Sequence, residues 1–305
     1  MTDARPGAAP ALAPEPVTLT CADGQRLQGH FFAARGEAAA APVLISPATG
    51  VRQQFYWRFA DWLAGHGHGH PTLVFDDRGI GLSLEGRLAD SRARLVDWGC
   101  QDQVAALQWL LGHSGAPRVV LVGHSAGGQM MGLLPNHACI ERVVGVAAST
   151  GWFGAMRLGF ALKARLGLRL LVPIGTLFRG YAPTAWLGLG ENLPAQVARQ
   201  WGQWCAAGGY ATNAVRAGAA DFHADVRSPI VVLHAEDDDI ANPATVRDLL
   251  RTLPAAPRAT LHVRPSDHGL RGIGHLDWFR QSHQALWPLM RRAVRGEIAL
   301  EAPGA

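Results

Sequence analysis

Hydrophobic positions fall into two alternating rhythms along most of this chain. Short apolar runs rich in β-branched residues at 43–45, 72–75, 117–122, 143–148, 230–233 and 259–263 predict buried strands. Between and after them, 55–65, 98–111, 129–134 and 278–295 predict helices. Parallel strands need a crossover connection, so the alternation predicts an α/β fold with a mostly parallel sheet and helices on both faces. Ahead of it, 17–20 and 27–32 flank Ala22-Asp23-Gly24, a hairpin signal, and two antiparallel strands are expected to open the sheet. Residues 1–16, rich in Ala and Pro, are expected to form a flexible lead.

Across 151–209 the rhythm breaks. Trp152, Phe153, Trp186, Trp201 and Trp204 stand among glycines and prolines, which marks an insertion into a core made of 17–150 and 210–305. Leu158, Leu162, Leu166 and Leu170 recur every four residues beside Arg157, Arg165 and Arg169, giving one helix stripe that is apolar and a neighbour that is basic. The expectation is a helical lid whose leucines pack on the body; a lipid-surface role is the less favoured reading.

Composition narrows the function classes. Of 305 residues 48% are apolar and 17% charged, below the ~25% typical of soluble domains, so much of the chain should be interior. The net charge of +4 comes with a single lysine, Lys163, and no basic run resembles a nucleic-acid stripe. No apolar run reaches the ~20 residues of a spanning helix, and the N-terminus has the pattern of neither a signal peptide nor an anchor. Stable membrane insertion and nucleic acid are therefore not expected. Cys21, Cys100, Cys139 and Cys205 lack the spacing of a zinc site or a disulfide framework, which fits a reducing cytoplasm. His66-Gly67-His68-Gly69-His70 invites a metal reading, but no acid or cysteine completes the set, and a solvated loop is expected. Nothing in the pattern sets the oligomeric state.

The chemistry concentrates at Gly123-His124-Ser125-Ala126-Gly127. A strand precedes Ser125 and a helix is expected after it, so the serine sits at a sharp strand-to-helix turn where small neighbours avoid collision. Such a turn lifts a hydroxyl clear of the sheet and aims helix N–H groups at whatever bonds to it. A Gly-rich structural turn whose serine merely caps the helix is the alternative. A serine nucleophile needs a base held by a third group. Acids stand at the end of one later strand, at Glu236, Asp237, Asp238 and Asp239, and His268 and His275 follow the last strand.

With these residues in place, the chain resembles the α/β-hydrolase fold superfamily over nearly its whole length, in particular a lipase- and serine-aminopeptidase-like bacterial branch. The resemblance implies a catalytic triad. Ala235-Glu236-Asp237-Asp238 is similar to the family's Gly-x-x-Asp, with Ala in place of Gly, and so implies Asp238 as the acid, with Asp237 and Asp239 solvated or capping. Gly272-Ile273-Gly274-His275 resembles an Ile-Gly-His string before the last helix and favours His275 over His268 as base. His262 and His283 are assigned to packing or surface. The family's Asp-x-Arg-Gly loop matches Asp76 to Ser83, a structural element. One oxyanion donor is the N–H of Ala126, directly after the nucleophile. Aligning Tyr56 and Ala60 with the family's next helix implies Thr49 as the second, with Ala48 behind it and Pro47 excluded for lack of an N–H. The implied activity is a serine hydrolase acting on a small-molecule acyl substrate, most simply an apolar carboxylic ester, with no cofactor and no metal. An acyltransferase using the same residues and a non-catalytic ligand-binding relative are the alternatives.

Overall fold

The computed structural model describes residues 14–35, 40–65, 67–156, 158–168, 172–187 and 190–302. Among them an eight-stranded sheet runs in the order β1-β2-β4-β3-β5-β6-β9-β10, from β1 (Glu15–Thr20), β2 (Arg26–Phe32), β3 (Val43–Ser46), β4 (Thr72–Phe75), β5 (Val119–His124), β6 (Ile140–Val146), β9 (Ile230–Ala235) and β10 (Arg258–Val263). β1 and β2 are antiparallel, as are β2 and β4; the remaining neighbours are parallel. Every residue of β3, β4, β5 and β9 is buried, as expected for parallel strands covered on both faces, whereas the edge strands β1 and β10 are mixed. β1 begins at Glu15, so it takes in the end of the expected lead, and residues 1–13 of that lead lie outside the described residues.

Helices α1 (Trp57–Ala64), α2 (Leu95–Asp97) and α3 (Val104–Ser114) come before the serine turn, and α8 (Pro243–Arg251) and α9 (Trp287–Val294) near the end. α1 buries Phe59, Ala60, Leu63 and Ala64, one stripe at helical spacing, against the sheet. α8 starts at Asn242, whose side chain accepts from the N–H groups of Ala244 and Thr245, followed by Pro243 at the position where a missing N–H costs nothing. α2 and α3 are joined by a π-helical turn, Trp98–Gln103, inside the helix expected over 98–111.

Two expected helices are corrected. Over 129–134 there is no α-helix; 3-10 turns occupy Ser125–Gly128 and Met131–Leu133. Gly127, Gly128 and Gly132 are poor helix formers, and Pro135 stops any continuation. Over 278–295, 3-10 turns at Asp277–Phe279 and Gln281–Leu286 precede α9. Pro288 can donate no N–H and its ring would strike the carbonyl four residues back, so the regular helix begins only at Trp287.

Between β6 and β9 the chain leaves the sheet to form α4 (Leu158–Leu166), α5 (Val172–Arg179), the short antiparallel pair β7 (Tyr181–Ala182) and β8 (Leu193–Pro194), α6 (Ala195–Ala207) and α7 (Thr212–Arg216). A second core joins Phe153, Leu168, Val197 and Trp204 of this segment to Ile80, Leu95, Trp98 and Met130 of the body. Leu162 and Leu166 of the leucine stripe do not lie in it. Leu162 and Leu166 are exposed, while Ala161 and Leu168 are buried, so the four-residue spacing identifies a face of α4 that is not the covered one. Arg165 is exposed; Arg157, Arg169 and Leu170 lie outside the described residues, and so does the side chain of Leu158.

Candidate active site

β5 ends at His124 and the chain turns at once, with Ser125 at φ +48°. For a non-glycine residue this left-handed conformation is strained, and it persists because the surroundings allow no other path. A Cβ on Gly123 would fall 2.3 Å from the Gly128 Cα, and one on Gly127 would fall 2.3 Å from the Ser46 carbonyl oxygen. Both positions therefore require glycine by close approach of backbone to backbone. Gln103, buried at the end of the π turn, donates through Nε2 to Ser46 Oγ (2.7 Å) and to the Gly127 carbonyl (2.6 Å), fastening the turn to the end of β3.

His275 stands in the loop after β10. Its Nε2 lies 2.9 Å from Ser125 Oγ and its Nδ1 lies 2.8 Å from Asp238 Oδ2. Asp238, three residues after β9, accepts through Oδ1 from the N–H groups of Ile240 (2.8 Å) and Ala241 (2.9 Å). Burial works against its charge, but the His275 imidazole and these N–H groups outweigh it and hold the carboxyl below its usual range. With Asp238 ionised, the His275 Nδ1–H donates to it and the Nε2 lone pair faces the serine hydroxyl. The geometry can take a proton from Ser125.

The loop carrying His275 is tied down by residues that sequence reasoning assigned elsewhere. Asp237 is not merely solvated or capping; its carboxylate accepts from the N–H groups of Ile273 (2.9 Å) and Gly274 (3.0 Å). His283 Nε2 donates to the Gly272 carbonyl at 2.9 Å. His124 Nε2 lies 2.9 Å from the His275 carbonyl, His124 Nδ1 lies 2.9 Å from Tyr56 Oη, and the Ala48 N–H donates to that same hydroxyl at 2.9 Å. Donor chemistry fixes every proton in this chain. A carbonyl only accepts, so His124 carries its proton on Nε2, Nδ1 accepts from the tyrosine, and the tyrosine accepts from Ala48. Burial, followed by the neighbouring His275, lowers the His124 pKa to about 3 and keeps it neutral, while burial holds the Tyr56 hydroxyl protonated. The relay links the loop after β3 to the backbone of the base. The one sequence signal for it was His124, placed directly before the serine.

Of the two expected oxyanion donors in the β3 loop, Ala48 has its N–H engaged by Tyr56, whereas the Thr49 N–H has no hydrogen-bond partner among the described residues. Ala126 is the second residue of the short 3-10 turn Ser125–Gly128, where the first N–H groups have no partner within the turn. Thr49 and Ser125 both line a cavity of about 630 Å³, and its other walls include Phe153, Met156, Leu168, Trp201, Ile240 and Ile273. Tyr210 lines it too, held at φ +39° with its ring 5.1 Å from that of Trp204.

The remaining candidates lie away from this cavity. His268 is half-buried in a 3-10 turn and does not line it, and His262 packs beside His234 with ring centroids 4.9 Å apart. Asp76 accepts from the Gln53 N–H and Nε2 and the Leu82 N–H, and Arg78 pairs with Asp102 and Asp23. His70 is not solvated as expected; it is buried and its Nδ1 donates to the Ala41 carbonyl. His68 stacks edgewise on Trp62, and His66 lies outside the described residues.

A family model described as the alpha/beta hydrolase family matches residues 43–287. Among solved structures, the chain is similar to a soluble variant of monoglyceride lipase from Saccharomyces cerevisiae in complex with a substrate analog, at 15% identity over 97% of this chain and 99% of that chain, with a TM-score of 0.67. It is also similar to the esterase Pf2001 from Pyrococcus furiosus, at 14% identity over 93% and 92% with a TM-score of 0.56. A thermophilic esterase from Thermogutta terrifontis gives 17% identity over 92% and 98% with a TM-score of 0.51. No curated protein matches the sequence. The match spans β3 to the start of α9, with the serine turn, Asp238 and His275 all inside it, and on that ground the chain belongs to the alpha/beta hydrolase family.

Proposed function

We propose that this protein is a serine hydrolase that cleaves a carboxylic ester with an apolar acyl group. The observation that carries the reading is the unbroken hydrogen-bonded series Ser125–His275–Asp238, with distances of 2.9 and 2.8 Å, at the wall of a largely apolar cavity. Ser125 Oγ attacks the acyl carbonyl while His275 Nε2 takes its proton, and Asp238 orients and stabilises the imidazolium. The N–H groups of Ala126 and Thr49 receive the oxyanion, each contributing about 3 kcal/mol if it behaves as such donors do elsewhere. His275 returns the proton to the leaving alcohol, and water then releases the acid by the same steps. No cofactor or metal takes part in these steps.

The inserted segment 151–209 acts in this reading as a lid, set apart from a core of 17–150 and 210–305, and supplies Phe153, Met156, Leu168 and Trp201 to the cavity. Apolar walls favour an acyl chain over a peptide, and the lipase and esterase names of the fold neighbours agree with an ester. Unpaired Cys21, Cys100, Cys139 and Cys205 support a cytoplasmic setting. The test is a series of activated esters of rising acyl length, run with and without added alcohols. Free acid should be the main product, with medium chains turned over faster than acetate. Transfer to the alcohol alone would make the protein an acyltransferase, and no turnover of any ester would remove the proposal.

A further inference from the structure

The inserted segment turns apolar side chains outward. Eight large hydrophobic residues are exposed among the described residues, and six of them, Leu162, Leu166, Ile174, Leu177, Phe178 and Trp186, belong to α4, α5 and the turn Thr184–Leu187. Single exposed leucines are ordinary on a protein surface; this concentration within one short segment is not. Ile174, Leu177 and Phe178 are spaced i, i+3, i+4 and share one face of α5, where Leu177 and Phe178 are 80% and 81% exposed. The opposite side is the one that packs, through buried Val172 and through Gly175, where a Cβ would strike the Pro183 ring. A helix covering a core would show the reverse.

Charge identifies the partner. Residues 151–190 contain Arg157, Lys163, Arg165, Arg169 and Arg179 and no acidic residue at all. The Arg179 guanidinium lies 4.1 Å from the Trp186 ring centroid, so a cation and an exposed aromatic are presented together. Leu166 is both exposed and part of the cavity wall, which puts α4 at the mouth of the candidate active site.

We propose that α4, α5 and the turn bearing Trp186 dock this protein on the surface of an anionic phospholipid bilayer. The apolar side chains enter the boundary between headgroups and acyl chains, Trp186 sits at headgroup level, and the exposed side chains of Arg165 and Arg179 meet the phosphates. α5 has eight residues, far short of the ~20 needed to cross, so it lies along the surface. A second copy of the chain is a worse occupant, because a two-fold interface would bring the same acid-free basic segment against itself. The inference does not rest on the hydrolase reading, since docking is measured without turnover.

The experiment is co-sedimentation of the full-length protein with vesicles of phosphatidylcholine alone and of equal parts phosphatidylcholine and phosphatidylglycerol. Binding to the anionic vesicles is expected to be about tenfold or more above the neutral ones and to fall in high salt, which screens the basic side chains. The double variant Leu177→Ser/Phe178→Ser should lose that binding while keeping its melting temperature. Wild-type protein left in the supernatant, or a double variant that binds as well as wild type, would overturn the proposal. So would a dimer that dissociates in the double variant of a chain that ignores both vesicles, since that outcome assigns the face to self-association.

Discussion

The end of β5 and the outer face of α5 lie in one chain and obey opposite rules. Around Ser125 every residue of the strand is buried, and the backbone approaches itself so closely that Gly123 and Gly127 accept no side chain. His124, Tyr56, Asp237 and Asp238 each have their hydrogen bonds met from other parts of the chain. On α5 the largest apolar side chains face outward, and nothing among the described residues covers them. Chemistry at 2.9 Å needs a site that many neighbours determine at once, whereas a surface meant for another body keeps its contacts unspent. On the proposed reading, the difference separates a region held for reaction from one left for a partner.

The strongest way to break that contrast is at the reacting atoms. Ser125→Ala and His275→Ala should each lower ester turnover by about four orders of magnitude, with the fold retained, while His268→Ala should cost about tenfold or less. Steady-state kinetics on folded protein decides it; equal losses at His268 and His275 would remove the assigned base. Next in size is stability. Gly127→Val drives a side chain into the Ser46 carbonyl and should cost about 3 kcal/mol or more, whereas Leu177→Ser on α5 should stay within about 0.5 kcal/mol. Urea denaturation of the two variants compares the regions directly.

Two smaller effects sharpen the account of the buried relay. Tyr56→Phe leaves both the Ala48 N–H and His124 Nδ1 without a partner and should destabilise by about 2 kcal/mol, with a lower kcat and little change in KM. His124 is neutral when folded, with its pKa lowered to about 3, and takes up a proton near 6.5 when unfolded. The unfolded state thus binds more protons between those values, so the stability it contributes is complete above about pH 6.5 and declines as pH falls toward 3. Between pH 7 and pH 5 the loss should be about 2 kcal/mol, seen in thermal melts and absent from a His124→Asn variant. Smallest of all, Leu166→Ser at the cavity mouth should reduce turnover of long acyl chains a few-fold, on the order of 1 kcal/mol, and leave acetate esters alone. An equal loss at every chain length would remove Leu166 from substrate contact.

The same contrast explains what could be read from the sequence. The run at 72–75 is a strand with those bounds because four consecutive β-branched and apolar residues suit only a covered strand bounded by turns. The helix expected over 129–134 does not form because Gly132 interrupts it and Pro135 ends it. The leucine spacing of α4 correctly groups Leu162 with Leu166, but a period tells which residues share a face and not whether that face is covered. At the site, the small residues around Ser125 express a local constraint and are legible. Tyr56 reaches His124, Gln103 reaches Ser46 and Asp237 reaches Ile273, partners 68, 57 and 36 residues away in the chain, and no local pattern marks them. The choice between His268 and His275 is of that second kind, since it depends on a loop held by Asp237, His124 and His283.

The most direct measurement is to react the protein with a fluorophosphonate and locate the adduct by mass spectrometry of its peptides, in parallel with ester turnover. The account predicts one adduct, on Ser125, formed in step with loss of activity and absent from Ser125→Ala. An adduct on another residue, or a Ser125→Ala protein that still turns over esters at the wild-type rate, would contradict it.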